Sequence, residues 1–596
     1  MTSEIALTLA IIVGALIVFG TEKLRVDVVA LLVLIIVGLT GLVGPKEVFA
    51  GFSNSAVITV WAVYIVSGGL FKTGVADIFG KFILRLSGNN EVRLIVVIML
   101  TCGLMSAFMN NVGATAMLLP AVISVAKQTK IPVSKLLIPL SFSSLLGGKI
   151  TLIGTPANIL ATSILSENGL PTFGFFDFAP IGLVVLATGV LYMVFIGRHL
   201  LPVRQAPGEA QAKDVLRKFT SEVRVLPKGK LAGSTLLESK LGEVYNLTVI
   251  ALVRGNKTIT KLRRDTYINP DDILLVEGST EDLLRARKEL GLEIANENKK
   301  HAELDKLSEK EIGIVEATLA PRSSVENRSL RSLNFRNHYG FTVLAVRRQG
   351  EIITEGLIDL ELKFGDDLVL QGPRRRASEL EEKNDFLVLE PLEVPEDRRR
   401  KMPISIGLML LVIGLVLFAG IDISLAMVIG AVGMVISRCL SMDEAYASID
   451  WRTVFLVAGM LPLGTAMETT GAAKYIADLM LNTIGDMGPM AALAGIYFLA
   501  ALITQPMSNA AAMVLVVPIA LDTAVSLGAN HLTFTLAVVI GAATSFLTPV
   551  GHKANVLVFG PGGYKFFDYA RVGALLTVFL FIVTMIFLPI FYPLFP

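Results

Sequence analysis

The apolar runs of this chain form two matching series, and small, polar and amide residues interrupt each series in two places. The first series falls at 5–20, 26–43, 54–71, 93–126, 136–165 and 179–201; the second falls at 404–419, 423–438, 452–467, 490–525, 532–559 and 571–593. Run 93–126 breaks at Asn110-Asn111 and run 136–165 at Gly154-Thr155-Pro156. Run 490–525 breaks at Ser508-Asn509 and run 532–559 between Thr548 and Lys553. An offset of 397 or 398 residues lays Thr73-Gly74 on Thr470-Gly471, Asn111 on Asn509, Pro120 on Pro518 and Asn158 on Asn555. One internal duplication accounts for all four matches.

Composition sets the class of environment. Hydrophobic residues make up 53% of the 596 positions, charged residues only 17%, and mean hydropathy is +0.66. A soluble globule carries about a quarter charged residues, so this is expected to be a polytopic protein of the plasma membrane. The net charge of +2 gives no reason to expect a nucleic-acid partner. Cys102 and Cys439 are too far apart in sequence to suggest a disulfide framework or a metal pattern. Residues 5–20 lack a basic lead-in and a cleavage site, and read as a first span that is retained.

If the run broken at each Asn pair enters and leaves the membrane on one side, each half has five spans and a re-entrant hairpin. An odd number of spans inverts the second half relative to the first. Short cytoplasmic loops are rich in Lys and Arg. With the polar stretch 205–400 in the cytoplasm, Lys23, Arg25, Lys72, Lys81, Arg85, Arg93, Lys127, Lys130, Lys135, Arg438, Arg452, Lys565 and Arg571 all fall inside, and only Lys46 and Lys474 fall outside. The expected fold is thus a multi-pass α-helical membrane protein of two inverted repeats, with ten spans, two hairpins and both termini outside.

The breaks carry the chemistry. Backbone that unwinds at mid-membrane depth is tolerated only where protein or a ligand satisfies its N–H and C=O groups. Gly and Ala allow close approach, Asn offers donor and acceptor, and hydroxyls give oxygen to a hard cation. Half-helix N-termini would face an anion while carbonyls held Na+. Close helix packing explains a single motif of this kind as well as ligand binding does. Two pairs at matching offsets favour a site. Lys149 and Lys553 stand beside the breaks, where an intramembrane charge is costly. Lys553 is the better candidate to meet an anion; His552 reads as a polar filler.

The stretch Met109-Asn110-Asn111-Val112-Gly113-Ala114-Thr115-Ala116-Met117-Leu118-Leu119-Pro120, with Gly147-Gly148 and Leu152-Ile153-Gly154-Thr155-Pro156-Ala157-Asn158, resembles the divalent anion/sodium symporter family. The likeness implies transport of dicarboxylate, citrate or sulfate by an elevator-type homodimer. It implies one sodium site from Ser106, Asn110, Asn111 and Gly154, and a second from Thr504, the Met507 carbonyl, Asn509 and Gly551. The substrate would touch Asn110, Asn111, Val112, Ser508, Asn509 and Ala510, with Lys553 added on its charge. Where that family has two Ser-Asn-Thr motifs, this chain has Asn110-Asn111-Val112 and Ser508-Asn509-Ala510. The missing threonine hydroxyls and the added lysine favour a compact oxyanion, sulfate, over a dicarboxylate. Sodium is the expected coupling ion, protons the alternative, and no cofactor is implied.

The polar middle repeats too. Leu247–Arg254 is echoed by Phe341–Arg348, and Asp271-Asp272-Ile273-Leu274 by Asp366-Asp367-Leu368-Val369; polar stretches at Thr280–Leu290 and Arg374–Lys383 have helical character. Short Val/Ile/Leu-rich strands with turn-forming Asp-Asp fit a small α+β module. The segments 205–298 and 299–398 each resemble the RCK C-terminal (TrkA-C type) domain, which implies a regulatory role and a small nucleotide ligand. Membrane repeats would occupy 1–204 and 399–596.

An ion channel or cation/proton antiporter is the alternative to a symporter. An antiporter needs ionisable acids at mid-membrane, but Asp422, Asp450 and Asp522 fall at expected span ends. No nucleophile, base and metal grouping has the spacing of an enzyme.

Overall fold

Each break expected in an apolar run separates two helices, and the polar middle of the chain forms two β-sheets. This computed structural model describes the chain apart from residues 1, 22–23, 76–77, 79–82, 84–89, 204–219, 228, 246, 256, 260–264, 278–279, 295–311, 320–322, 324, 349–350, 354–355, 364, 374–379, 381–384, 389–395, 485–486, 506 and 596. The first half holds α1 (Ser3–Thr21), α2 (Val26–Leu39), α3 (Ser55–Lys72), α4 (Glu91–Ser106), α5 (Asn111–Thr129), α6 (Leu137–Gly147), α7 (Pro156–Glu167) and α8 (Ala179–Tyr192). The second holds α9 (Met402–Phe418), α10 (Ile423–Ile436), α11 (Trp451–Thr470), α12 (Ala472–Ile484), α13 (Pro489–Ile503), α14 (Asn509–Leu527), α15 (His531–Ala542), α16 (Lys553–Phe559) and α17 (Phe566–Phe591).

Several helices start where a side-chain oxygen can accept from N–H groups that the first turn leaves free. Asn54 does this for α3, Asn90 for α4, Asp422 for α10 and Asn530 for α15. Among the described residues, six helices are long and apolar enough to cross a membrane, or seven if the bent pair α11–α12 is one span. Shorter apolar helices or helix segments of 10–17 residues, α6, α13, α15 and the Asn111–Ala126 part of α5 among them, flank the breaks.

The halves pack reciprocally. Helix α2 lies on α11 and α10 on α3; α7 lies on α14 and α16 on α5; α8 lies on α17. Hydroxyls repeat the exchange: Thr8 bonds Thr470 at 3.3 Å, and Ser405, 397 residues after Thr8, bonds Thr73 at 2.8 Å. Within the first half, α4 and α6 meet backbone to backbone, since a Cβ on Gly147 would overlap the carbonyl of Gly103. Helix α12 was not among the expected apolar runs.

Strands β1 (Thr220–Val225), β2 (Thr248–Arg254), β3 (Lys257–Ile259), β4 (Ile273–Glu277) and β5 (Leu292–Ile294) form an antiparallel sheet in the order β3-β2-β4-β1-β5. Strands β6 (Ile312–Leu319), β7 (Thr342–Arg348), β8 (Glu351–Ile353), β9 (Asp367–Pro373) and β10 (Phe386–Val388) repeat it in the order β10-β6-β9-β7-β8. Both carry a register shift at the same place, Val249/Ala251 and Val343/Ala345. Each has its own apolar core, around Val223, Leu252 and Leu274 in one and Val315, Val346 and Leu368 in the other.

Arg254 pairs with Asp272 and Arg348 with Asp366, both at 2.7 Å, so the second Asp of the first Asp-Asp matches the first Asp of the second. The register agrees, with Val253 opposite Ile273 and Arg347 opposite Asp367. The echo read from sequence is therefore shifted by one residue, and Asp367 stands where the first sheet has Ile273. The helix Thr280–Leu290 is present, whereas most of Arg374–Lys383 lies outside the described residues.

Candidate functional site

The first break lies between α4 and α5. Ser106, at the end of α4, donates to Asn111 Oδ1 at 2.7 Å, and Asn110 caps α5 by accepting from Val112 N at 3.1 Å. Gly148 and Gly154 complete this cluster: a Cβ on Gly148 would overlap Asn111 Oδ1, and one on Gly154 would overlap the Gly148 carbonyl. Only glycine lets the second broken run come this close to the first.

The second half repeats the arrangement with altered side chains. Thr504 Oγ1 is 2.9 Å from Asn509 Oδ1 and also donates to the Ala542 carbonyl at 2.7 Å. Ser545, which stands where the first half has Gly148, donates to Asn509 Oδ1 at 3.1 Å. Ser508 caps α14 through Ala511 N, and the Gly551 N–H donates to Thr548 Oγ1 at 3.0 Å. Met507 is buried next to the break, and Val112 and Ala510 are the second residues of α5 and α14.

The structure thus brings Ser106, Asn110, Asn111 and Gly154 together in one cluster and Thr504, Ser508, Asn509 and Gly551 in another. Both offer neutral oxygen donors, the kind that suits a hard cation. Among the described residues no group of three or more His, Cys, Asp or Glu could hold a metal ion. Tyr64, Asn110, Ile153, Gly154 and Pro156 line a small crevice beside the first cluster.

The charged candidates separate. Lys553, at the start of α16, forms an ion pair with Asp450, which also accepts from Thr453 Oγ1 at 2.8 Å, and about half of the Lys553 side chain is exposed. In this arrangement the ammonium is occupied by a carboxylate. Lys149 is 1% exposed, and its amine lies 5.8 Å from the ring centroid of Phe546 with no hydrogen-bond partner among the described residues. Phe546 is 397 residues further on, so a residue of one half faces its counterpart in the other. His552 caps α16 by accepting from Ala554 N at 3.1 Å. Asp422 and Asp450 flank the N-termini of α10 and α11, and Asp522 lies towards the C-terminal end of α14.

Sequence reasoning missed Tyr64, Ser141 and Ser545. Ser141 on α6 donates to Asn555 Oδ1 at 2.6 Å, a bond between the halves. The cluster Ser141, Ser143 and Ser144 in an otherwise apolar helix was the available signal.

The chain matches the family model described as citrate transporter over residues 16–541. It is 38% identical to an uncharacterized transporter of Synechocystis sp., over 99% of this chain and 97% of the relative. It is 32% identical to the uncharacterized transporter YfbS of Escherichia coli over the whole of both chains. A sodium/sulfate cotransporter of Chlamydomonas reinhardtii is 22% identical over 90% of this chain and 83% of the relative. The match spans both breaks of the first half and the Ser508-Asn509 break of the second, and the chain belongs to the citrate transporter family, CitMHS, of multi-pass membrane transporters.

Proposed function

We propose that this transporter is a secondary active symporter of a small divalent anion, with sulfate its first substrate and Na+ its coupling ion. The observation that carries the reading is the mirrored pair of bonds, Ser106 to Asn111 and Thr504 to Asn509, each at the broken end of a helix. The amide oxygens and hydroxyls would hold sodium. The N-termini of α5 and α14, with Asn110, Asn111, Val112, Ser508, Asn509 and Ala510, would face the anion. Lys553 joins that set only if its bond to Asp450 opens. The two halves would form inverted repeats of five spans and a hairpin, working as an elevator in a homodimer. The two sheets would be cytoplasmic regulatory modules of the TrkA-C type, one of whose ligands would be a small nucleotide.

Sulfate is favoured by the loss of both threonines from the hairpin motifs and by the name of the Chlamydomonas relative. A tri- or dicarboxylate is the second reading, favoured by the description of the matching family. Uptake of radiolabelled sulfate into proteoliposomes, challenged with excess citrate or succinate and run with and without a sodium gradient, separates the two. Sodium-dependent sulfate uptake that citrate and succinate leave unchanged is the expected result. Accumulation of citrate alone would establish the second reading.

A further inference from the structure

The second sheet touches the helix that leaves the second break. A Cβ on Gly560, immediately after α16, would lie 2.6 Å from Asp367 Oδ1 and 3.2 Å from Thr318 Cγ2. A Cβ on Gly365 would lie 2.8 Å from the Phe559 ring, and Gly365 adopts φ +83°. The contact is therefore close on both sides and leaves no room for a larger residue. Helix α16 has seven residues, about 10 Å, so its far end stands one short rigid rod away from Gly551, and Asn555 lies in its first turn.

The contacting face is specialised. Thr318 Oγ1 donates to Asp367 Oδ1 at 2.5 Å, and Arg347 Nη1 lies 3.7 Å from Asp367 Oδ2 and 4.0 Å from Glu316 Oε2. The corresponding positions of the first sheet are Arg224, Val253 and Ile273. A buried carboxylate on a strand is costly; Asp367, the first residue of β9, is 2% exposed, and the first sheet has Ile273 at that position. Beyond the sheet the chain is anchored elsewhere: Arg398 pairs with Glu444 at 2.8 Å on the short helix Met442–Ser448, which packs on α3. The second sheet thus touches the end of α16, which packs on α5 and α6, while the chain that follows the sheet is held beside α3 at Glu444.

We propose that the second sheet is a latch that, through Thr318 and Asp367, holds α16 and slows transport until the contact opens. The inference rests on the elevator reading above, in which the two helix groups slide past each other; a body fastened to both resists that motion. Burial pushes the Asp367 carboxyl up to about 7. The charged groups around it are Arg347, Glu316 and Asp366, while α16 presents Phe559 and Gly560, neither of which is charged. Gly560 covers one oxygen of this carboxyl, so opening the contact hydrates it and the docked state holds its proton better than the open one. The contact is then strongest below the open-state value, weakens as pH rises from there and has lost this contribution above about pH 7, so uptake rises with cytoplasmic pH.

The test uses the full-length chain with Asp367→Cys and Gly560→Cys, which removes the carboxylate that a Cβ at position 560 would meet, oxidised to crosslink the contact and assayed in proteoliposomes before and after reductant. Crosslinking is expected to lower radiolabelled sulfate uptake at least about ten-fold, with recovery on reduction. Asp367→Asn, a neutral side chain of the same shape, is expected to give slow uptake that no longer changes between about pH 6 and 8. Failure of the pair to crosslink, or equal uptake by oxidised and reduced protein, would overturn the latch. Crosslink yield reads the contact without transport, so a wild-type protein that moves no anion counts against the symport reading alone.

Discussion

Asn158 and Asn555, 397 residues apart, make the same two bonds. Asn158 Nδ2 donates to the carbonyls of Gly148 and Thr151 at 3.0 and 2.7 Å, and Asn555 Nδ2 to those of Ser545 and Thr548 at 2.8 and 3.2 Å. Each amide adds a donor to carbonyls at the end of a broken helix, the Thr151 carbonyl also accepting from Gly154 N at 3.3 Å, which is the kind of satisfaction that unwound backbone in an apolar setting requires. The oxygen ends differ. Asn158 Oδ1 takes Thr155 Oγ1 at 3.0 Å, whereas His552 occupies the matching place in the second half and Ser141 supplies the hydroxyl instead.

Asn158→Ala and Asn555→Ala are expected to destabilise the fold by about 1–3 kcal/mol for each carbonyl left bare. Ser141→Ala removes a single bond and should cost about 1 kcal/mol. Thermal unfolding in detergent checks the order, and equal melting temperatures for Asn555→Ala and wild type would contradict it.

Gly147→Ala is expected to prevent correct packing of α4 on α6, because its methyl would meet the Gly103 carbonyl, which is backbone and cannot rotate away. Gly414→Ala on α9 meets nothing within 4 Å and should be tolerated. The fraction of monodisperse protein after purification distinguishes the two.

Lys149→Met keeps the length of the side chain and removes a buried amine that has no hydrogen-bond partner among the described residues. Replacing such a group with an apolar one of similar volume relieves a desolvation cost of several kcal/mol, so the melting temperature should rise. A fall would mean that the amine is held by a group beyond Phe546.

Arg348→Ala leaves Asp366, which is fully buried, without its guanidinium. The expected cost is about 3–5 kcal/mol, read as faster hydrogen exchange in β7 and β9. Arg254→Ala should cost less, since Arg254 is 40% exposed against 23% for Arg348 and its pair is better solvated. Adding Asp366→Ala to Arg348→Ala should recover part of the loss.

The breaks were legible because Asn, Gly, Thr and Pro interrupt apolar runs at matching offsets, and both halves break where those residues stand. Helix α12 was not, because Lys474, Asp478 and Asn482 recur at helical spacing as a polar stripe and so break up the apolar run in sequence. The bond from Ser141 to Asn555 and the stacking of Lys149 on Phe546 join distant segments, and no local pattern announces them. The shift in the Asp-Asp echo arose because two adjacent aspartates match in either register by sequence, while only Asp272 and Asp366 reach their arginines. The contact of Asp367 with Gly560 depends on how a sheet and a helix end meet, which neither sequence segment encodes alone.

The central claim is that the two mirrored breaks form one coupled site. Its most direct test is sodium-driven uptake of radiolabelled sulfate into proteoliposomes by wild type, Asn111→Ala and Asn509→Ala, each checked to be monodisperse. The account predicts sodium-dependent accumulation by wild type and background uptake by both variants. Wild-type rate and wild-type sodium dependence in either variant would contradict it.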